Sequence, residues 1–183
     1  MPTYGRLLPN IKQSRKLIIL PDDGIFLGMA NSQSINKLDF MKAYILDTNI
    51  FNRLLDGRIL FDNLPTDGPF FATNIQKDEI NNTKDDNRRK DLLHKFHEIA
   101  NSFLLPTETF VSDVSHVDAD KCGGGILFNR IKKSLNSLNN SKRNNIQDAL
   151  IAEVSIINNY CLVTADKDLA SVTNEFGGKV LCF

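Results

Sequence analysis

The chain has 183 residues and no net charge, with 22 Lys and Arg against 22 Asp and Glu. That length suits one domain with at most a short appendage, and a 42% hydrophobic share excludes a disordered or fibrous chain. No apolar run approaches the roughly 20 residues of a membrane-spanning helix. The basic N-terminus is followed only by the apolar residues 17–20, too few for the core of a secretory signal. Cys122, Cys161 and Cys182 are odd in number and without paired spacing. This argues against a disulfide framework or zinc ribbon, fits a reducing cytoplasm, and leaves each cysteine to be read as a small, mostly buried apolar residue. Neutrality places any nucleic-acid contact on local patches and not on a global field.

Residues 1–40 read as an appendage. Five basic and three acidic groups give them a net charge of +2, against −2 for residues 41–183. Two apolar stretches, 17–20 and 25–27, flank Pro21-Asp22-Asp23-Gly24, which is turn chemistry, so a β-hairpin is expected. Such a hairpin is not stable alone, and it is expected to pack on the body as an accessory. A polar linker, 31–36, follows, and the main domain is placed at 41–183.

From Lys42 on, strands and helices alternate. A strand over 43–46 leads to a helix over 49–56 that Gly57 terminates. A strand over 70–72 leads to a helix that Thr73 and Asn74 cap and that runs to Asn81. A charged helix follows over 84–103, then a weak strand over 109–111 and a loop over 112–125. Helices are expected over 126–138 and 145–158, the second marked by Ile146, Ala149, Leu150, Val154 and Ile157 at helical spacing. A strand over 161–163, a helix over 166–176 and a strand over 179–182 complete the pattern. This alternation predicts an α/β fold of three layers, with a mostly parallel sheet between helices on both faces.

In such sheets ligands collect at the carboxyl ends of the strands. Asp47 ends the first strand of the body. Asp166 follows the 161–163 strand, with Asp168 two residues further. Glu79 lies in the helix after the second strand, and Asp148 in the first turn of the helix before the 161–163 strand. On an ideal helix Asp148 lies about 40° from Ala152 and about 20° from Ser155, a small polar face offset from the apolar stripe. Clustered carboxylates repel one another unless a cation neutralises them, and all-oxygen ligands suit Mg²⁺ or Mn²⁺. Taken singly, Asp47 and Asp166 also read as helix N-caps and Glu79 as a surface charge. His94, His97 and His116 stand away from these elements and read as solvated or half-buried. The glycines of Cys122-Gly123-Gly124-Gly125 match no phosphate-binding spacing and read as a flexible loop.

Four blocks resemble the signatures of PIN-domain ribonucleases, VapC-type toxins among them: YILDTNIFNRLLDG at 44–57, FATNIQKDEI at 71–80, NNIQDALIAEVSIINN at 144–159 and LVTADKDLA at 162–170. The resemblance spans about residues 41–183. It implies a five-stranded parallel sheet and Mg²⁺- or Mn²⁺-dependent hydrolysis of RNA by an activated water, leaving a 5′-phosphate and a 3′-hydroxyl. Asp47, Glu79, Asp148 and Asp166 match the family's metal-binding acids, and Asp168 its accessory acid. In the second block Asp78 adjoins Glu79, and either acid is placed to face the site. Thr48 and Asn49 match the residues that orient the first acid, Asp47, and Thr164 matches the hydroxyl near the last, Asp166. The resemblance also implies an antitoxin protein as partner and a homodimer, and the lack of a long apolar run leaves no membrane partner expected. Lys142 and Arg143, just before Asp148, are the cations best placed to meet RNA. A haloacid-dehalogenase-like phosphatase needs a second Asp where Asn49 stands. A response-regulator receiver needs a Lys at the end of the last strand, whereas Lys179 begins it. The remaining alternative is a non-catalytic PIN-like module that binds RNA or protein.

Overall fold

Tyr44, Leu46 and Val163 belong to one buried apolar cluster, and Ile45 and Leu162 to another. That alternation is the period of two along a strand, and it is why the sheet must be covered on both faces. In the computed structural model, which describes residues 16–19, 25–28, 42–100, 104–117 and 120–183, the contacts divide the chain into two units, 1–40 and 41–183. In the first, β1 (Lys16–Ile19) and β2 (Ile25–Gly28) pair antiparallel with Leu17 opposite Leu27, the hairpin the sequence predicts. The expected packing of this segment on the body lies outside the described residues.

In the second unit four parallel strands stand in the order β4 (Phe70–Phe71), β3 (Tyr44–Leu46), β5 (Cys161–Thr164), β6 (Lys179–Cys182). Leu46 lies opposite Val163, and the Asp47 amide donates to Val163 O at 2.9 Å. On one face α1 (Thr48–Leu55) contributes Ile50 and Phe51, and α3 (Asp86–Ile99) contributes Leu92, Phe96 and Ile99. The Phe51 and Phe96 rings meet at 5.2 Å, tilted by 45°, an arrangement that adds to their burial. The other face is built by α4 (Ile126–Asn139), α5 (Asn145–Ile157) and α6 (Lys167–Glu175). The shorter α2 (Asn74–Asn81) sends Ile80 to the first cluster and Ile75 to the second.

The described sheet has four strands, not five. The expected strand at 109–111 is absent because side chains hold its backbone. Thr107 Oγ1 donates to Thr109 O, and the Val111 amide donates to Ser115 Oγ. Among the described residues only Leu105, in a single bridge to Thr73, continues the parallel pairing. The charged helix is shorter than 84–103. The Asp85 carboxylate accepts from the Arg88 amide at 2.7 Å and starts it at Asp86, and Ala100 turns to an extended backbone and ends it.

The glycine-rich loop has a packing role. A side chain on Gly123 would stand 2.2 Å from Glu108 O, and Gly125 has φ +64 at the start of α4. Gly125 brings no capping side chain. The buried Glu153 of α5 takes that role, its Oε1 accepting from the Phe128 amide at 3.2 Å and from Thr109 Oγ1 at 3.0 Å. Cys122 and Cys182 are exposed and only Cys161 is partly buried, so the cysteines are not the buried set expected. Cys182 lies on the edge strand β6 and Cys122 in the loop.

Candidate active site

The chain leaves β3 toward β4 on one side and returns to β5 on the other. The carboxyl ends of β3 and β5 therefore form a switch point, where no crossover connection covers the sheet edge. A cavity of about 510 Å³ opens there, lined by Asp47, Thr48, Asn49, Asn52, Glu79, Lys142, Arg143, Asn144, Asp148 and Asp166. The four acids come from four places: the end of β3, α2, the first turn of α5 and the turn after β5.

Asp47 is only 4% exposed. It occupies the N-cap position of α1, yet its carboxylate makes no capping hydrogen bond. Instead it accepts from Thr164 Oγ1 at 2.6 Å and from Asn49 Nδ2. The same two residues tie β3 to β5. Asn49 Oδ1 accepts from the Ala165 amide at 3.0 Å, and Thr164 Oγ1 accepts from the Asp166 amide at 3.0 Å. Asp166 divides its work between its two oxygens. Oδ1 caps α6, accepting from the Asp168 and Leu169 amides at 2.8 and 3.1 Å, while Oδ2 lies 3.8 Å from Lys142 Nζ.

Glu79 accepts a hydrogen bond from Thr48 Oγ1. Its position on α2 is set by a capping box in which the Thr73 side chain accepts from the Ile75 amide and Gln76 Oε1 accepts from the Thr73 amide. Gln76 Nε2 also donates to Leu46 O at 2.8 Å, which pins α2 to the end of β3 beside Asp47. Of the two adjacent acids Glu79 lines the cavity beside Asp47 and Asp78 does not. Asp78 lines a neighbouring cavity of about 270 Å³, to which Glu79 also contributes, and pairs with His116 Nε2 at 2.7 Å. His94 and His97 are exposed on α3.

Burial and mutual repulsion raise these carboxyl groups. Asp47 is pushed up to about 6, chiefly by burial, with the charges of Glu79 and Asp166 adding to it and the Thr164 hydrogen bond opposing it. Asp148 is pushed up to about 8 by burial and by the charges of Asp47, Glu79 and Asp166. Among the described residues the Asp148 carboxylate has no hydrogen-bond partner. Glu79 is raised by burial, against the Thr48 hydrogen bond. The face of α5 around Asp148 is not the polar flank that the sequence suggests. Ala152 and Ser155 are buried, and their small size lets α5 close on the sheet.

The donor set is all oxygen and carries more negative charge than its one paired cation balances, which fits a hard divalent ion. Among the described residues no three His, Cys, Asp or Glu side chains stand in a group that could already hold one. Asp168 is not part of the cavity lining and pairs with Lys142 at 3.2 Å. Lys142 is held by the acids, while Arg143 makes no ion pair among the described residues. Arg88 is likewise engaged, with Asp56 at 2.7 Å and Asn52 at 2.9 Å.

No protein-family profile matches the sequence, and no curated protein matches it. Solved structures do. A chain of VapBC2 from Rickettsia felis, crystallised with a DNA fragment from its promoter, superposes with a TM-score of 0.50 at 16% identity, covering 77% of this chain and 98% of that one. The fold is PIN-like. A chain of VapBC-5 from Mycobacterium tuberculosis matches over the same shares at 17% identity and a TM-score of 0.42. At 16% identity the VapBC2 likeness concerns the fold alone. Glu153 is a structural residue that the sequence does not announce, because a lone acid inside an apolar helical stripe carries no spacing signal. No helix among the described residues is long and apolar enough to cross a membrane.

Proposed function

We propose that this protein is a divalent-metal-dependent endoribonuclease whose ion, Mg²⁺ or Mn²⁺, is held by Asp47, Glu79, Asp148 and Asp166. One observation carries the reading: four carboxylates from four separate elements line one cavity at the switch point, with Asp47 and Asp148 raised by burial and by their neighbours' charges. A structural role alone does not explain that concentration of acids. Asp168 is the accessory acid of this reading.

When bound, the ion supplies Lewis acidity to the phosphodiester and makes a nearby water nucleophilic at neutral pH. The chain's own residues do the placing. Thr164 and Asn49 fix the Asp47 carboxylate, and Thr48 fixes Glu79, so that two of the acids lose little rotational freedom when they take up charge. The cap on α6 fixes Asp166 through one oxygen and leaves the other toward the cavity. Arg143 and Lys142 stand at the rim, where an RNA backbone must pass to reach the acids.

The finer reading is a cytoplasmic toxin of a toxin–antitoxin pair, assembled as a homodimer and restrained by an antitoxin protein. The VapBC2 likeness supports it at the level of fold. The test is cleavage of a mixed RNA pool by the wild type and by Asp47→Asn, with Mg²⁺, with Mn²⁺ and with chelator. Cleavage by the wild type alone, only with metal, is expected. Metal-independent cleavage, or RNA binding without cleavage at any metal concentration, overturns the assignment and favours a binding module.

A further inference from the structure

The asparagine-rich stretch between α4 and α5 forms a fixed turn. Asn140 and Ser141 both adopt left-handed backbone, at φ 55 and φ 59. Two consecutive non-glycine residues persist there only where the surroundings hold them. Asn145, 1% exposed, donates from Nδ2 to Asn136 Oδ1 at 2.7 Å and to Asn139 Oδ1 at 2.8 Å, and Asn139 Nδ2 returns a bond to Asn145 Oδ1 at 3.0 Å. The Lys142 amide donates to Asn139 Oδ1 at 3.4 Å. Because Asn145 is the first residue of α5, this amide cage fixes the turn relative to Asp148 three residues on.

The cage delivers one ammonium group to the acids. Lys142 Nζ stands 3.2 Å from Asp168 Oδ2 and 3.8 Å from Asp166 Oδ2. The latter is the one Asp166 oxygen that the α6 cap leaves open. Its charge also acts on Asp148.

We propose that the asparagine cage holds Lys142 as a tethered counter-cation on Asp166, where it competes with the divalent ion for that acid and partly neutralises the site when no ion is bound. The proposal rests on the ribonuclease reading. Lys142 is a positioning and competing group, not a catalytic one. A unit charge at about 4 Å in a water-like medium changes a binding constant about five-fold, so this is a modest tuning of metal affinity.

The experiment is calorimetric titration of the metal-free full chain with Mn²⁺. Lys142 is exposed, so its replacement opens no cavity. Lys142→Gln is expected to bind Mn²⁺ about five-fold more tightly than the wild type, and Lys142→Arg to bind like the wild type. Asn139→Ala, which loosens the cage and keeps the lysine, is expected to shift affinity in the direction of Lys142→Gln. In the wild type, saturation with Mn²⁺ is expected to increase acetylation of Lys142 by an amine-labelling reagent, read by mass spectrometry. Equal or weaker Mn²⁺ binding by Lys142→Gln, or labelling unmoved by Mn²⁺, overturns the proposal while leaving the ribonuclease reading intact. A wild type that takes up no Mn²⁺ overturns both.

Discussion

Asp47 and Asp166 occupy the same kind of position, one at each strand end before a helix, yet their carboxylates are used differently. Asp47 caps nothing and is enclosed by Thr164 and Asn49, whereas Asp166 caps α6 with one oxygen. Their substitutions should therefore separate. Asp47→Asn replaces a buried carboxyl that burial and neighbouring charges disfavour as an anion with a neutral amide that still accepts from Thr164. Cleavage should be lost and the metal-free protein should melt no earlier than the wild type at pH 7.5. A melting temperature several degrees lower would mean that the Asp47 hydrogen bonds hold the sheet edge together. At Asp166 the cap decides. Asn is as good an N-cap as Asp, so Asp166→Asn should lose cleavage with little change in stability. Asp166→Ala should lose cleavage and also about 1 kcal/mol. Denaturant titrations of the pair measure the difference, and equal stabilities would show that the cap contributes nothing.

Among the elements, α5 carries the site and the core together. Asp148 and Glu153 stand five residues apart on it, one facing the cavity and the other buried against Thr109 and the start of α4. Glu153 joins Thr109, the start of α4 and α5 through one oxygen, while its other oxygen has no partner among the described residues. Glu153→Gln keeps the accepting oxygen and should cost less than about 1 kcal/mol. Glu153→Ala strands the Phe128 amide and the Thr109 hydroxyl and leaves a void, and should cost about 2–4 kcal/mol. Equal losses, read from urea midpoints, would place the effect in side-chain volume alone. This element also marks how far the sequence can be read. Helical spacing places α5, and turn chemistry places the cap at Thr73, because both are local patterns. The strand-end acids are legible because a parallel sheet has only one ligand-bearing edge. Glu153, the Thr48–Glu79 bond and the asparagine cage are not legible, because each joins residues whose nearness only the tertiary fold creates. The strand expected at 109–111 is missing for a related reason: its β-branched residues spend their hydrogen bonds on side chains nearby.

At the scale of the molecule, the body and its charge can be tested together. Residues 41–183 contain the sheet, both apolar clusters and every acid of the cavity. A protein beginning at Met41 should therefore fold and keep metal-dependent cleavage. If it folds and cleaves nothing, the first 40 residues belong to the site. The stability of the metal-free chain should also depend on pH in a stated direction. Asp148 titrates near 8 and Asp47 near 6 in the folded protein, against an ordinary value of 3.8 for each. Between about pH 4 and 8 the folded state thus holds protons that the unfolded state has released, and stability must fall as pH rises through that window. Each tenfold change in proton affinity is worth roughly 1.4 kcal/mol, so, allowing for coupling among the acids, the loss from about pH 5 to pH 8 is a few kcal/mol. Asp148→Asn should remove most of that slope. Mn²⁺ requires the ionised carboxylates, so its stabilisation should be small at pH 5 and largest at pH 8, opposing the loss where it is greatest. Denaturation midpoints at pH 5, 6.5 and 8, with and without Mn²⁺, measure both effects. A metal-free protein that becomes more stable toward pH 8 would show that the chain's own cations already balance the four acids, and the site would then have no need of an ion.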